Sequence, residues 1–430
     1  MREIFKKFFK KKFKLFSRIW CIVFKWKIRC MKIVKGIGIM KKRCKMIIAL
    51  LSAAMVLTAC AQNTSDTDSN KANETKTQDT SKDAAQDDTE TEKTKEYQAK
   101  LDMIEPSAYR DASGLSLEEG AYISIIGKGT NDDFWVQVKK GAEQAGKDIN
   151  EQLGYKGKKA VKVVYSGPSD KDNVDEQVNI LDEELSRYPA ALAISIADAK
   201  ACEVQFDQAG WNGTTFDSSS DYPGISAFVS TDNSASATEA ANRLAEAMGE
   251  SGEVMLFMQD SKSQVAQTRE NAFVSQIQST YPNITVVETY HMDQIDTYKN
   301  QMIQELATDK QAADITEEEV IDYLFEKHPN VKGCFASNSD AMELVLDEME
   351  RKNVSPFIVG YDVNDDSMEA LKAGKIDGLV VQNPFGMGYA ATIASARAAL
   401  NMGNEAFVNT GYVWVTKQNL NDEAVQSILN

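Results

Sequence analysis

Apolar and polar positions alternate regularly from residue 121 onward. Nine short runs rich in Val, Ile, Phe and Tyr predict β-strands, at residues 122–127, 161–166, 191–196, 225–229, 254–258, 284–289, 333–337, 357–361 and 378–382. Stretches with helical periodicity lie between most of them, for example residues 134–153 and 233–249. Such alternation predicts parallel sheets covered by helices on both faces. Nine or so strands over about 300 residues fit two sheets better than one. The pattern therefore predicts an α/β protein with two sheets.

A different pattern precedes this region. Basic residues at positions 41–45 are followed by an apolar run at residues 46–57, which is too short to span a bilayer comfortably. The run ends in LTAC and resembles a bacterial lipobox, which implies a leader of residues 1–59 and lipid on Cys60. Residues 1–39 are basic and aromatic, and two interpretations are open: an amphipathic membrane-surface helix, or a start assigned too far upstream. We favour the second, with Met40 as the natural first residue.

Residues 60–117 begin with a long segment of Thr, Ser, Asp, Gln and Lys that has almost no apolar side chains to bury. This composition predicts a disordered tether between the lipidated cysteine and the α/β region. A lipid-anchored protein of this kind is expected on the outer face of the cytoplasmic membrane.

Charge and rare residues exclude several classes of function. Seventeen of the 48 basic residues, but only one of the 64 acidic residues, precede position 60. The remaining body is strongly acidic and would repel phosphate backbones, so we expect no nucleic-acid partner.

No CxxC pair is present, and Cys202 and Cys334 are expected to be buried hydrophobic residues rather than a disulfide. The acidic run at 362–367 lacks the glycine of a calcium loop, so no metal site is expected there. No cofactor is expected either.

Polar clusters follow several of the predicted strands. In open α/β sheets, ligands bind beyond the carboxyl ends of the strands. The clusters that follow strands are rich in aromatic, carboxylate and amide side chains: GTNDDFW (129–135), FDSSSD (216–221), SNSDAM (337–342), YDVNDD (361–366) and QNPFGMGY (382–389). Aromatic rings stack on the CH faces of a sugar, and carboxylates and amides bond its hydroxyls. The clusters therefore indicate a polyhydroxylated ligand.

Several motifs occur in an order typical of one family. They are FWxxVKKGA from residue 134, STDN at 230–233, TRENAF at 268–273, FASNSDAM at 335–342, IVGYD at 358–362 and LVVQNPFGMGYAA at 379–391. Together they resemble type I periplasmic binding proteins, specifically the ribose/galactose-like solute-binding subunits of ABC sugar importers. The resemblance implies two Rossmann-like parallel-sheet lobes joined by a three-crossover hinge. We place the first lobe at residues 118–231 plus 383–413 and the second at 232–382 plus 414–430.

The resemblance also implies a set of ligand-binding residues. By position in the motifs they are Asn131, Phe134, Trp135, Asp217, Arg269, Asn338, Asp362 and Gln382. Each has a structural alternative. The two aromatic residues could be core, Arg269 could form a structural salt bridge, and Gln382 could point outward from a turn. The remaining polar residues could satisfy loop amides or cap helices.

Three features depart from the family pattern. The segment AGWNGTTFDSSSD is short and polar where relatives have a hydrophobic strand. Ser218 follows Asp217 where some relatives have an arginine, and residues 308–319 resemble an insertion in a helix or loop.

Three functions are compatible with these residues. The favoured hypothesis is a monomeric lipoprotein that delivers a monosaccharide or related polyol to an ABC permease. A sensor that presents a sugar or signalling molecule to a membrane histidine kinase is the alternative. A glycoside-cleaving enzyme that uses Asp217 and Asp362 is less favoured, because paired acids across a hinge suit binding equally well and the family resemblance argues for binding. Other enzyme classes lack support, because the chain has only two histidines and neither a phosphate loop nor a nucleophile elbow.

Overall fold

The computed structural model describes residues 96–429. Cys60, the leader and the first part of the predicted tether lie outside the described residues. The strands are β1 (Tyr122–Ile126), β2 (Lys162–Ser166), β3 (Ala191–Ile194), β4 (Gly213–Phe216), β5 (Ile225–Ser230), β6 (Gly252–Met258), β7 (Ile284–His291), β8 (Val331–Ala336), β9 (Phe357–Tyr361), β10 (Gly378–Gln382), β11 (Phe407–Asn409) and β12 (Tyr412–Val415).

The α-helices in the described residues are α1 (Gln98–Asp102), α2 (Asp133–Leu153), α3 (Val174–Ser186), α4 (Ala199–Ala209), α5 (Asn233–Ala247), α6 (Gln264–Thr280), α7 (Ile295–Leu306), α8 (Glu317–Lys327), α9 (Ser339–Lys352), α10 (Asp365–Ala373), α11 (Pro384–Ala399) and α12 (Glu423–Leu429). Nine of them begin after an Asp, Asn, Ser or Thr whose side chain accepts a hydrogen bond from the first turn.

The strands form two six-stranded sheets, and each sheet defines a lobe. The order is β11-β5-β4-β3-β1-β2 in the first lobe and β12-β10-β9-β8-β6-β7 in the second. All pairings are parallel except that of β10 with β12. Helices pack on both faces of each sheet, so the predicted fold class is confirmed.

The chain passes between the lobes three times. It leaves the first lobe between β5 and α5, returns between β10 and α11, and leaves again between β11 and β12. Helix α5 packs in the core of the second lobe, whereas α11 packs in the core of the first. These crossings form the hinge.

All nine predicted strands are present, but the pattern missed three. Strand β4 lies in the polar segment that departs from the family, and all four of its residues are buried between β3 and β5. Strands β11 and β12 are only three and four residues long. Cys202 and Cys334 are buried free thiols, as expected.

The prediction of a disordered tether is wrong for residues 96–117. This segment contains α1 and a 3-10 helix at Ser107–Tyr109. Its apolar side chains Leu101, Ile104 and Tyr109 are fully buried against the first-lobe core. The sparse apolar residues of this segment pack onto a surface that the later sequence provides, which composition alone does not reveal.

Two further findings concern the second lobe and the membrane. Residues 307–316 form the connection from α7 to α8, with a 3-10 turn at Ala312–Asp314 and a buried Ile315. Among the described residues, none of the helices has both the length and the hydropathy required of a membrane span.

Candidate functional site

A small cavity of about 30 Å³ lies between the two lobes. This is room for roughly two or three water molecules. Its walls come from the carboxyl ends of the strands and the first turns of the following helices, as expected for an open parallel sheet. The lining residues are Lys128, Phe134, Trp135, Lys171, Asp172 and Asp217 from the first lobe and Gln259, Arg269, Asn338, Ser339, Asp362 and Gln382 from the second.

Asp217 and Lys128 form a buried ion pair on the first-lobe side. Lys128 follows β1 and is 3% exposed, and Asp217 follows β4 and is 5% exposed. Lys128 Nζ lies 3.1 Å from Asp217 Oδ2, which also accepts a hydrogen bond from Ser195 Oγ at 2.9 Å. Burial alone would lower the pKa of Lys128, but Asp217 and the nearby Asp172 and Asp260 together raise it. The lysine is therefore charged, and a three-donor ammonium faces the cavity.

Phe134 and Trp135 form the aromatic wall. They lie in the first turn of α2, whose N-cap Asp132 accepts a hydrogen bond from the Trp135 backbone N–H at 3.0 Å. The rings meet edge to face at 5.0 Å, and Trp135 packs against Phe216. Trp135 is 3% exposed and serves the core as well as the cavity.

Asn131, in contrast, does not line the cavity. Its side chain is exposed, on the loop that precedes the cap residue Asp132. The turn that brings the two aromatic rings inward leaves Asn131 outside, so the structure does not support its predicted position in the site.

Arg269 is the central cation of the second lobe. It is 2% exposed in the second turn of α6, and its guanidinium lies 3.8 Å from the centre of the Tyr361 ring. Nε donates to Asn233 Oδ1 at 2.8 Å and Nη1 donates to the Ser337 carbonyl at 2.6 Å. The buried Nη2 has no hydrogen-bond partner within residues 96–429.

Asp362 and Gln382 form the third part of the site. Gln382 Nε2 donates to Asp362 Oδ1 at 2.8 Å, and the buried Gln382 Oε1 has no partner in the described part of the chain. Burial raises the pKa of Asp362, while Arg269 and the hydrogen bond from Gln382 oppose that shift. The amide thus points inward rather than outward from a turn.

Asn338 both lines the cavity and caps a helix. Its Oδ1 accepts from the Ala341 backbone N–H at 2.9 Å, and its Nδ2 donates to Asp340 Oδ2 at 3.2 Å. The same Asp340 oxygen lies 2.7 Å from Lys171 Nζ of the first lobe. An ionic contact therefore joins the two lobes at the edge of the cavity.

Backbone conformation sets this site apart from its surroundings. Among residues 96–429, eight non-glycine residues have positive φ, and three of them line the cavity: Asp172 at 62°, Asp217 at 55° and Asp362 at 65°. Aspartate adopts the left-handed region more readily than most residues. Such conformations concentrate where a side chain must be aimed at a functional position.

The structure brings seven of the eight predicted residues to one cavity and adds five that the sequence reasoning missed. These are Lys128, Lys171, Asp172, Gln259 and Ser339. Lys128 directly precedes the GTNDDFW cluster, so the signal was its position at the end of a strand. Lys171 and Asp172 lie in the loop after β2, which belongs to none of the six family motifs.

The described residues do not provide an obvious metal centre. Within residues 96–429, no group of three or more His, Cys, Asp or Glu side chains is arranged to hold a metal ion. Neither histidine lines the cavity. The arrangement can instead bind a neutral polar ligand through charged and amide groups.

Sequence comparison places this architecture among known proteins. The family described as "Periplasmic binding protein domain" matches residues 123–405. The chain is also 23% identical over 298 residues to the ribose import binding protein RbsB of Bacillus subtilis (strain 168), a match that covers 68% of this chain and 86% of that protein.

Solved structures give a consistent result. A carbohydrate transporter solute binding protein from Agrobacterium radiobacter, in complex with D-arabinose, has a TM-score of 0.60 and 29% identity, over 73% of this chain and 100% of that one. The glucose-galactose binding protein GanP from Geobacillus stearothermophilus has a TM-score of 0.58 and 20% identity, over 71% and 100% of the two chains. The likeness to GanP shows the fold alone.

Proposed function

The chain belongs to the periplasmic binding protein domain family, and on this premise we propose that it captures a monosaccharide or related polyol between its lobes. The observation that carries the proposal is the cavity lined by charged, amide and aromatic groups from both lobes. A ligand that bonds to both lobes at once stabilises their closed arrangement, because only that arrangement offers all of the contacts.

Two buried polar atoms favour a hydroxylated ligand. Arg269 Nη2 needs an acceptor and Gln382 Oε1 needs a donor. A buried polar atom without a partner costs about 1–3 kcal/mol. A hydroxyl can both donate and accept, so a sugar with adjacent hydroxyls can satisfy both atoms. Phe134 and Trp135 offer ring surface for its CH groups.

The names of relatives agree with this ligand class. The similar curated protein is named for ribose import, and the Agrobacterium radiobacter protein was solved with D-arabinose. These ligands belong to those proteins; for this chain they support the broader class of monosaccharides and polyols.

Calorimetry and thermal unfolding with a ligand panel test the proposal. We expect at least one pentose, hexose or inositol to bind and to raise the melting temperature; a ligand at about 100 times its Kd stabilises the protein by about 2.7 kcal/mol. If amino acids or nucleosides raise the melting temperature and no sugar or polyol does, the carbohydrate assignment is wrong.

We also propose that the protein is a monomeric lipoprotein that delivers its ligand to an ABC permease from the outer face of the cytoplasmic membrane. The lipobox-like LTAC sequence and the family support this role. Mass spectrometry of the mature N-terminus should find lipid on Cys60, and Cys60→Ser should release the protein from membranes. An unmodified Cys60 in membrane-bound protein would contradict the anchor.

A further inference from the structure

A second and much larger chamber adjoins the cavity on the hinge side. Its volume is about 570 Å³, within the usual range for small-molecule sites. It shares three wall residues with the cavity, Phe134, Asp362 and Gln382. The two spaces therefore adjoin at these side chains, and both are bounded by both lobes.

The chamber has the kind of lining that carbohydrate requires. Asp133 and Gln137 of α2 face it from the first lobe, and Asn364 and Met368 face it from the second. Phe385, at the start of α11, supplies an aromatic ring. Carboxylate and amide groups can bond hydroxyls, while the Phe and Met side chains can cover the CH faces of a ring.

Lys100 supplies a cationic donor to the chamber. This chamber residue is only 8% exposed, and its ammonium lies 5.7 Å from the centre of the Phe385 ring. Within residues 96–429 its side chain has neither an ion pair nor a hydrogen bond. Burial and the neighbouring Lys140 lower its pKa, and Glu96 opposes that shift. Among the described residues no acceptor holds this ammonium, so its three N–H groups are free to donate to a ligand oxygen in the chamber.

We propose that the chamber is a second carbohydrate subsite, which holds the second ring of a disaccharide or of a similar glycoside while the first ring occupies the cavity. The inference rests on the proposed function and narrows it. Phe134, which lines both spaces, would then contact both rings, and Lys100 would donate to an oxygen of the second ring.

Calorimetry with monosaccharides and with disaccharides built from them tests the inference on the purified chain. Gln137→Trp fills the chamber from α2, where Gln137 is half-buried. Lys100→Met removes the donor and keeps the aliphatic stem. Asp217→Asn changes the cavity alone and serves as the matched control. Melting temperatures without ligand establish that each variant folds.

We expect a disaccharide to bind about tenfold or more tightly than its component sugars, since one additional charge-assisted hydrogen bond accounts for about that factor. Gln137→Trp and Lys100→Met should each weaken disaccharide binding about tenfold and leave monosaccharide binding within about twofold. Asp217→Asn should weaken both.

Two results would overturn the inference. If monosaccharides bind and no disaccharide binds more tightly, or if the chamber variants weaken both ligand classes equally, the chamber is not a subsite, whereas the proposed function stands. If no saccharide of either size binds, the proposed function fails together with the inference.

Discussion

Asp362 shows how one residue combines backbone conformation, burial and charge. It adopts φ of 65°, its carboxylate accepts from Gln382, and burial raises its pKa despite Arg269 nearby. A raised pKa means that burial disfavours the charged form, so this carboxylate reduces stability at neutral pH. A carboxylate that destabilises the folded protein and lines a cavity is best explained by a role in ligand binding.

Asp362→Asn separates binding from folding. Asparagine tolerates positive φ and its Oδ1 can still accept from Gln382, whereas alanine would be strained there. We expect sugar affinity to fall about 30-fold, which corresponds to about 2 kcal/mol for a charge-assisted bond, and the free energy of unfolding to stay equal or rise. Calorimetry and urea unfolding measure these two quantities.

The pH dependence provides the control for this variant. Binding that needs the Asp362 carboxylate is complete above its raised pKa and is lost as the pH falls through that pKa. The variant should lack this loss. Asp366→Asn, an exposed change on α10, should match the wild type. Unchanged affinity in Asp362→Asn would remove Asp362 from the site.

At the scale of elements, the crossing of α2 and α11 fixes the aromatic wall relative to the hinge. A Cβ added to Gly141 would lie 1.9 Å from the Phe385 carbonyl oxygen, and one added to Gly388 would lie 1.9 Å from the Val138 carbonyl oxygen. The two helices thus touch backbone to backbone. Tyr389 of α11 also donates to Asp148 Oδ2 of α2 at 2.9 Å.

Gly388→Ala tests this contact. Helix propensity alone predicts that alanine stabilises a helix by about 1 kcal/mol relative to glycine. Because the new Cβ meets a backbone carbonyl that cannot rotate away, we expect the reverse, a loss of about 1–3 kcal/mol in the free energy of unfolding. Urea unfolding measures it.

The same helix offers a matched control. Ser395→Ala removes a buried hydroxyl that has no partner within residues 96–429, so the protein should be equally or more stable. A Gly388→Ala protein as stable as the wild type would show that the helices can separate without cost.

Which elements could be predicted depended on how much apolar surface each carries by itself. Nine strands were predicted from runs rich in Val, Ile and Phe, and all nine are present. Strand β4, GTTF, is buried through its neighbours: Thr215 Oγ1 is hydrogen-bonded to Ser219 Oγ at 2.7 Å instead of contacting water. The burial of this polar strand comes from its position between β3 and β5, which the local pattern of residues 213–216 does not reveal.

At the scale of the whole molecule, the site exists only because two lobes face each other. Motif position predicted seven of the residues that line the cavity, but it also predicted Asn131, which lies outside the cavity, and it did not predict Lys171. Motif position specifies the loop, but not which side of a turn faces the opposite lobe. Lys171 contributes to the contact between the lobes only through its ion pair with Asp340 of the other lobe.

The contact between Lys171 and Asp340 implies a closing force that does not depend on ligand. Lys171 Nζ lies 2.7 Å from Asp340 Oδ2 and 3.8 Å from Asp132 Oδ2, with 28% of its side chain exposed. Burial lowers the pKa of Lys171, but the two carboxylates raise it overall, so it is charged. Because this pair bridges the lobes at the edge of the cavity, opening the cleft to a ligand breaks the contact.

A double-mutant cycle with Lys171→Met and Asp340→Asn measures that force. We expect each single variant to shift the lobes toward the open arrangement, seen as a larger radius of gyration in solution scattering, and to weaken ligand binding about two- to fivefold. A partly exposed ion pair contributes only about 0.5–1 kcal/mol, so the double variant should be little worse than either single one. Salt should weaken binding in the wild type more than in the variants, because screening acts on the pair that they lack.

Lys139→Met, an exposed change on α2, controls for the loss of a positive charge in the same lobe. The inference of a closing force is wrong if the two single effects are strictly additive and all proteins show the same salt dependence. Lys171 and Asp340 would then lie close together without stabilising the closed arrangement, and closure would depend on the ligand alone.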